Sequence, residues 1–179
     1  MINKDNLIQL LQNGSVEEFN NFRTSSNNDL LDLSEADLRN CELTGANLSN
    51  VDLSGSDFSE SDLTETDFSS SDLSSVDFTG STIKKTDFIK SVLSGVKFNQ
   101  AKLNECDFTE ANFNGTDLSE TNLSGSDLTY AENLNDCIFD SYTTWPDSEF
   151  LPEDFNTEYT EDLSSLKDDD DMFESDFAY

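Results

Sequence analysis

Every fifth residue from Leu33 to Leu128 is apolar, without an insertion and without an exception. The twenty positions are Leu33, Leu38, Leu43, Leu48, Leu53, Phe58, Leu63, Phe68, Leu73, Phe78, Ile83, Phe88, Leu93, Phe98, Leu103, Phe108, Phe113, Leu118, Leu123 and Leu128. No regular element keeps such a series together. Five residues of α-helix turn through about 500°, so successive beats drift around the axis. In a flat strand an odd period puts alternate beats on opposite faces. A chain that turns a corner every five residues can point every beat at one common axis.

The places around the beat agree with this. Two residues before each beat stands something small or apolar, such as Ala36, Cys41, Ala46, Val51, Ser56, Ser61 and Thr66, placed to point inward beside it. The residue between points out, and it is Asp in twelve of the twenty words. The last two places of each word carry Ser, Thr, Asn, Gly and Glu, which suit corners, and six of the seven glycines fall at the last place.

The beat also points to a number of sides. From Leu53 to Phe108 it alternates Leu or Ile with Phe. If four words make one circuit, residues twenty apart stack. Phe58, Phe78 and Phe98 then form one column, Phe68, Phe88 and Phe108 the opposite one, and Leu53, Leu63, Leu73, Ile83, Leu93 and Leu103 fill the sides between. Three sides would scramble Leu and Phe in every column.

Words such as EADLR, GANLS and GSDFS resemble those of the pentapeptide repeat family, over residues 31–130. The resemblance implies an all-β solenoid, a right-handed quadrilateral β-helix of about five coils in which each unit buries its face only against its neighbours. At ~4.8 Å per level such a tower stands roughly 24 Å tall.

The flanks divide into three further segments. Residues 1–30 are expected to be a helical cap: Leu7, Leu10 and Leu11 fall at helical spacing, Asn13 and Gly14 stop that helix, and Ser15 and Glu18 form a capping box for a second helix with Val16, Phe19 and Phe22 on one face. Residues 131–155 are expected to close the tower. The beat slips by one residue there, continuing through Leu134 and Phe139, and Trp145, Phe150, Leu151 and Phe155 plug the last circuit. This segment resembles the closing segment of some family members, and the resemblance implies an alternative use as a homodimer contact. Residues 156–179 form an acidic tail, helical in part through Tyr159, Leu163 and Leu166, with Phe173, Phe177 and Tyr179 as contact candidates and little else to bury.

Charge restricts the partners. The chain carries −30 with no histidine, which repels nucleic acid and acidic membranes and attracts basic protein surfaces. The repeat carries −13 and residues 131–179 carry −15. Duplex DNA, with one charge per ~1.7 Å, holds roughly fourteen in the height of the tower. On a four-sided tower Asp67, Asp87, Asp107 and Asp127 fall on one side, and Asp37, Asp57 and Asp77 on the opposite side. Lys84, Lys85, Lys90, Lys97 and Lys102 interrupt the acidity, so that residues 81–105 carry +3.

Chemistry is sparse. Without histidine there are no His-based triads, bases or metal sites. No phosphate loop is present, the serines lack an evident base, and outward carboxylates do not converge on a cation. No enzyme and no cofactor are expected. Three scattered cysteines suit a reducing compartment, and no stretch has the length of a signal sequence or a membrane span, so a cytoplasmic protein is expected. Two functions fit. The tower is a DNA mimic occupying the DNA-binding saddle of a basic protein, for which the resemblance implies DNA gyrase or topoisomerase IV. Alternatively it is a rigid scaffold or adaptor whose ends and acidic, aromatic tail bind a protein partner.

Overall fold

The computed structural model describes residues 3–25 and 30–158. The chain begins with helix α1 (Lys4–Gln12) and helix α2 (Val16–Ser25). Strands β1 (Leu31–Asp32) and β2 (Val51–Asp52) then pair in parallel, Leu31 with Val51 and Asp32 with Asp52. Single parallel bridges carry this register through the rest of the repeat, each joining residues twenty apart: Asp37 to Asp57, Glu42 to Asp62, Asn47 to Asp67, and onward. Four words therefore bring the chain back over itself, and the outward residues fall into four columns. The first runs 32, 52, 72, 92, 112, 132; the second 37, 57, 77, 97, 117; the third 42, 62, 82, 102, 122; the fourth 47, 67, 87, 107, 127.

Each column is held by two backbone bonds per level. The beat residue donates its N–H to the outward residue one circuit on, as in Phe58 to Asp77 at 2.8 Å. The outward residue donates back, as in Asp77 to Ser56 at 3.0 Å. A strand only two or three residues wide thus satisfies its own peptide groups, which a buried backbone must do.

All twenty beat side chains are fully buried. Phe58, Phe78 and Phe98 stack with ring centroids 5.3 and 5.1 Å apart, and Phe68, Phe88 and Phe108 stack at 5.3 and 4.9 Å. The two stacks meet edge to face, Phe58 on Phe68 at 5.7 Å and Phe78 on Phe88 at 6.2 Å. Both contact geometries suit the ring quadrupole. Phe113, which breaks the alternation, tilts 57° against Phe108 at 5.1 Å.

The inward small position carries buried hydroxyls, each of which needs a partner. Ser61 Oγ accepts from Cys41 N–H at 3.0 Å and donates to the Leu38 carbonyl at 2.7 Å. Thr86 and Thr121 donate in the same way to Leu63 and Phe98. Cys41 and Cys106 occupy equivalent places and are buried. Burial pushes the Cys106 thiol up to about 12, which leaves it inert.

Most corners are β-turns, closed for instance by Ser56 N–H on the Leu53 carbonyl at 3.0 Å, with positive φ at the third residue alone. That combination defines a type II turn. Glycine supplies the residue at six corners, but Glu35, Glu60, Glu65, Glu105, Glu110 and Glu120 adopt the same left-handed conformation, as do Asn40, Ser70, Lys85 and others. The cost of about 1–2 kcal/mol for a side chain there is accepted because the ladder above and below dictates the corner.

The first circuit has no circuit beneath it, and α1 and α2 take that place. Leu7, Leu11 and Phe19 are buried against the repeat core. Asn20 acts as a substitute peptide, donating from Nδ2 to the Gly45 carbonyl at 2.9 Å while its Oδ1 accepts from Asn47 N–H at 2.8 Å. Gln12 donates to the Asp37 carbonyl at 2.8 Å, and the buried Arg23 donates to the Ser49 carbonyl. An edge with free peptide groups invites pairing with another chain, and these side chains close it. The reciprocal capping box forms at Asn3 and Asn6, at the start of α1. Among the described residues none forms between Ser15 and Glu18; there the Ser15 carbonyl accepts from Phe19 N–H at 3.0 Å.

Residues 132, 138 and 144 bridge to Asn112, Asp117 and Asn122, so the chain makes a further circuit before it closes. This circuit widens as it goes. Phe113, Leu118, Leu123 and Leu128 donate to the carbonyls of Glu132, Ile138, Thr144 and Phe150, so one residue is added at each step. The slip visible in the sequence is the first of three. Room is made by one-turn 3-10 helices at Leu134–Asp136 and Ser148–Phe150. Leu134 and Leu151 are buried, and Phe139, Trp145 and Phe155 form one aromatic cluster over the last beat residues, with Trp145 and Phe155 centred 4.9 Å apart.

Candidate functional site: the carboxylate columns

The outward aspartates have a local task before any other. Asp67 Oδ1 accepts the N–H of Ser69 at 2.8 Å, Asp87 that of Ile89 at 2.8 Å, Asp107 that of Thr109 and Asp127 that of Thr129, both at 2.9 Å. Asp57, Asp77 and Asp117 do the same for Ser59, Thr79 and Ser119. Where the second residue on has a hydroxyl it often donates as well, as Thr109 Oγ1 does to Asp107 at 2.6 Å. These are Asx turns, which start the corners that follow an outward Asp or Asn. Asn112 and Asn122 perform the task with an amide oxygen, so it requires the acceptor and not the charge. The signal was present in the recurring Asp-x-Ser/Thr spacing.

With one oxygen engaged in the turn, each aspartate presents its other oxygen outward, and here the two columns part. In the second column Arg39 forks onto Asp37 at 2.8 and 2.7 Å and lies 3.8 Å from Asp57. Lys97 takes the outward place one level above Asp77 and pairs with it at 3.5 Å. Asn99 donates to Asp117 at 2.9 Å. Arg39 thereby holds the Asp37 carboxyl down at about 2. Half-burial would raise Asp77, yet the Thr79 and Lys97 bonds outweigh it and the net shift is downward.

The fourth column holds Asp67, Asp87, Asp107 and Asp127 at four successive levels; none of the salt bridges given for the described residues reaches them, and the Arg23 guanidinium lies close enough to Asp67 for the two charges to attract. The Asp87 carboxyl is raised, first by half-burial and then by the charges of Asp67 and Asp107, against the Ile89 hydrogen bond. The first and third columns lose their acids partway up, at Val92 and Asn112 and at Thr82, Lys102 and Asn122. The lysine island is largely spent on neighbours: Lys84 pairs with Glu105 at 3.3 Å, Lys90 with Glu110 at 3.6 Å, and Lys97 with Asp77. These pairs are exposed and contribute little to stability.

Phe173, Phe177 and Tyr179, like Tyr159, Leu163 and Leu166, lie outside the described residues. Among the described residues, no group of His, Cys, Asp or Glu side chains gathers as a metal site, and no helix is long and apolar enough to cross a membrane.

Two family models match the chain in succession, that of the pentapeptide repeat region over residues 31–105 and that of pentapeptide repeats in eight copies over residues 106–141. No curated protein sequence matches significantly. Among solved structures, a pentapeptide repeat protein of the Arabidopsis thaliana thylakoid lumen is 36% identical, with 42% of this chain and 52% of that one covered and a TM-score of 0.42. Rfr23, a pentapeptide repeat protein from the cyanobacterium Cyanothece 51142, is 25% identical, with 58% and 63% covered and a TM-score of 0.36. The match thus spans between half and two thirds of those two chains. QnrB1, a plasmid-mediated fluoroquinolone resistance protein, is 19% identical, with 62% and 81% covered and a TM-score of 0.32. With its unbroken five-residue beat inside and its family models abutting without a gap, the chain belongs to the pentapeptide repeat family.

Proposed function

We propose that this protein is a non-enzymatic, cytoplasmic binding module, a right-handed quadrilateral β-helix that presents its fourth column to a basic, DNA-binding protein surface in place of DNA. The observation that carries the reading is the contrast between columns. Among the described residues Asp87, Asp107 and Asp127 form a line of carboxylates with no ion pair, continued below by Asp67 near Arg23, while Arg39 and Lys97 engage Asp37, Asp57 and Asp77. A row of like charges left largely outside ion pairs is what a groove lined with lysine and arginine attracts. One column, with a charge per ~4.8 Å, is thinner than a DNA strand with one per ~3.4 Å.

Type II topoisomerases, DNA gyrase or topoisomerase IV, are the partners that family precedent offers. A gyrase supercoiling assay with the purified protein tests this. Inhibition or protection that weakens as salt rises supports the reading, and no effect at any salt concentration sinks its topoisomerase form.

A second reading has its own observation. Tyr130, Ile138 and Tyr142, around the closing circuit, are 69%, 57% and 76% exposed. Apolar side chains so placed suit contact by that end with an adaptor partner or with a second copy. Sedimentation of the whole protein separates the two, since a monomer at high concentration removes the homodimer.

A further inference from the structure

We propose that Asn114 and Gly115 form a site of spontaneous covalent modification, at which the Asn114 side chain is converted to a mixture of aspartate and isoaspartate. The chain contains two Asn-Gly pairs, Asn13-Gly14 and Asn114-Gly115. Conversion begins when the glycine nitrogen, freed of its hydrogen bond and deprotonated, attacks the asparagine side-chain carbonyl. The structure separates the two pairs on that requirement.

Gly14 N–H donates to the Leu11 carbonyl at 3.0 Å, within the end of α1, and the Asn13 N–H is held by Gln9 at 3.0 Å. That nitrogen is occupied. Corner N–H groups from Glu35 to Glu105 are occupied too, because each donates to the circuit above: Gly55 to Ser74 at 2.8 Å, Gly80 to Asn99 at 3.0 Å, Gly95 to Asn114 at 2.9 Å. The series weakens to 3.4 Å at Gln100 and ends with Glu105 at 3.1 Å. Among the described residues no such bond is made at Glu110, and the carbonyl that a regular circuit would offer Gly115, that of Leu134, instead accepts from the Cys137 N–H at 3.2 Å. Among the described residues the Gly115 N–H has no hydrogen-bond partner. Both Asn114 and Gly115 are exposed, and nothing lies within 4 Å of where a Gly115 Cβ would sit, so approach is unhindered.

The step balances with water alone. A bond forms between Gly115 N and Asn114 Cγ, closing a five-membered imide. The bond from Cγ to the side-chain nitrogen breaks, and ammonia leaves with the proton given up by Gly115. Water then opens the ring at either carbonyl, leaving aspartate or isoaspartate at position 114. Either product adds one negative charge at the corner between the first and second columns. Isoaspartate also lengthens the main chain by one methylene, inside the turn that Thr116 N–H closes on the Phe113 carbonyl at 2.9 Å.

The test is to incubate the full-length folded protein at mildly alkaline pH, follow its charge isoforms, and map both Asn-Gly peptides by mass spectrometry. Asn114 is expected to convert at least about fivefold faster than Asn13, the advantage of a nitrogen with no hydrogen bond to break. In urea the two rates should converge. The Asn114→Gln variant should not form the dominant acidic isoform. Equal conversion of the two sites in the folded protein, or faster conversion of Asn13, would overturn the proposal, as would an unchanged Asn114.

Discussion

Asp87 stands one circuit above Asp67 in the same column, bridged to it in parallel, and the Asp67 charge helps to raise the Asp87 carboxyl above its ordinary value. Asp37, one circuit below Asp57, is driven the other way, to about 2, by the bonds it receives from Arg39. The same residue type in the same place of the same word therefore titrates in opposite directions.

This gives the pH dependence a mixed sign. Asp37, and Asp32 bonded to Lys4, have depressed values near 2, so their stabilisation is complete above the ordinary carboxylate range and disappears as pH falls through that range toward about 2. Asp87 is raised, so its contribution opposes folding at neutral pH and the opposition is relieved as pH falls through its own value. Carbon-detected NMR titration of the carboxyl groups should find Asp87 the last of these three to ionise as pH rises. If Asp87 ionises with Asp37, the fourth column is not under charge strain.

Buried hydroxyls make a paired prediction. Ser61 both accepts and donates, whereas Ser91 Oγ is buried with no hydrogen-bond partner among the described residues. Ser61→Ala strands the Cys41 N–H and the Leu38 carbonyl and should cost about 1–3 kcal/mol. Ser91→Ala removes an unpaired group and should be neutral or stabilising. Urea denaturation of the two variants distinguishes them, and equal losses would contradict the assignment.

Asn20 is the most consequential polar residue of the helical cap, since its single amide satisfies Gly45 and Asn47 together. Asn20→Ala should lower stability by about 1–3 kcal/mol. It should also expose the first circuit to hydrogen exchange at the Asn47 amide. Unchanged protection at Asn47 would mean that the cap holds by its apolar contacts alone.

The interior was legible because an odd period admits few solutions: sorting the beat by twenties gave the two Phe stacks and the four columns that the bridges reproduce. The ends were less so. The beat shows one slip before Leu134; the next two stand in the six-residue spacing of Phe139, Trp145 and Leu151, which gains its meaning only from the pairing of Thr144 and Phe150. Asn3 and Asn6 escaped notice as a capping box because Ser15 and Glu18 match the commoner form. On the surface, spacing put seven aspartates into two columns without distinguishing them. The difference lies in Arg39 and Lys97, whose reach to Asp57 and Asp77 depends on the circuits above and below and not on the local word.

The central claim is that the fourth column, and not acidity in general, engages the partner. Its direct test compares two charge-only variants, Asp67, Asp87, Asp107 and Asp127 all to Asn against Asp37, Asp57, Asp77 and Asp117 all to Asn. Asn112 and Asn122 already hold the Asx turn with an amide oxygen, so both variants should fold. Binding to gyrase is measured for each across a range of salt concentrations. The account predicts that the first variant loses most of its affinity and salt dependence while the second stays near the parent. Equal losses, or a greater loss in the second, would contradict it.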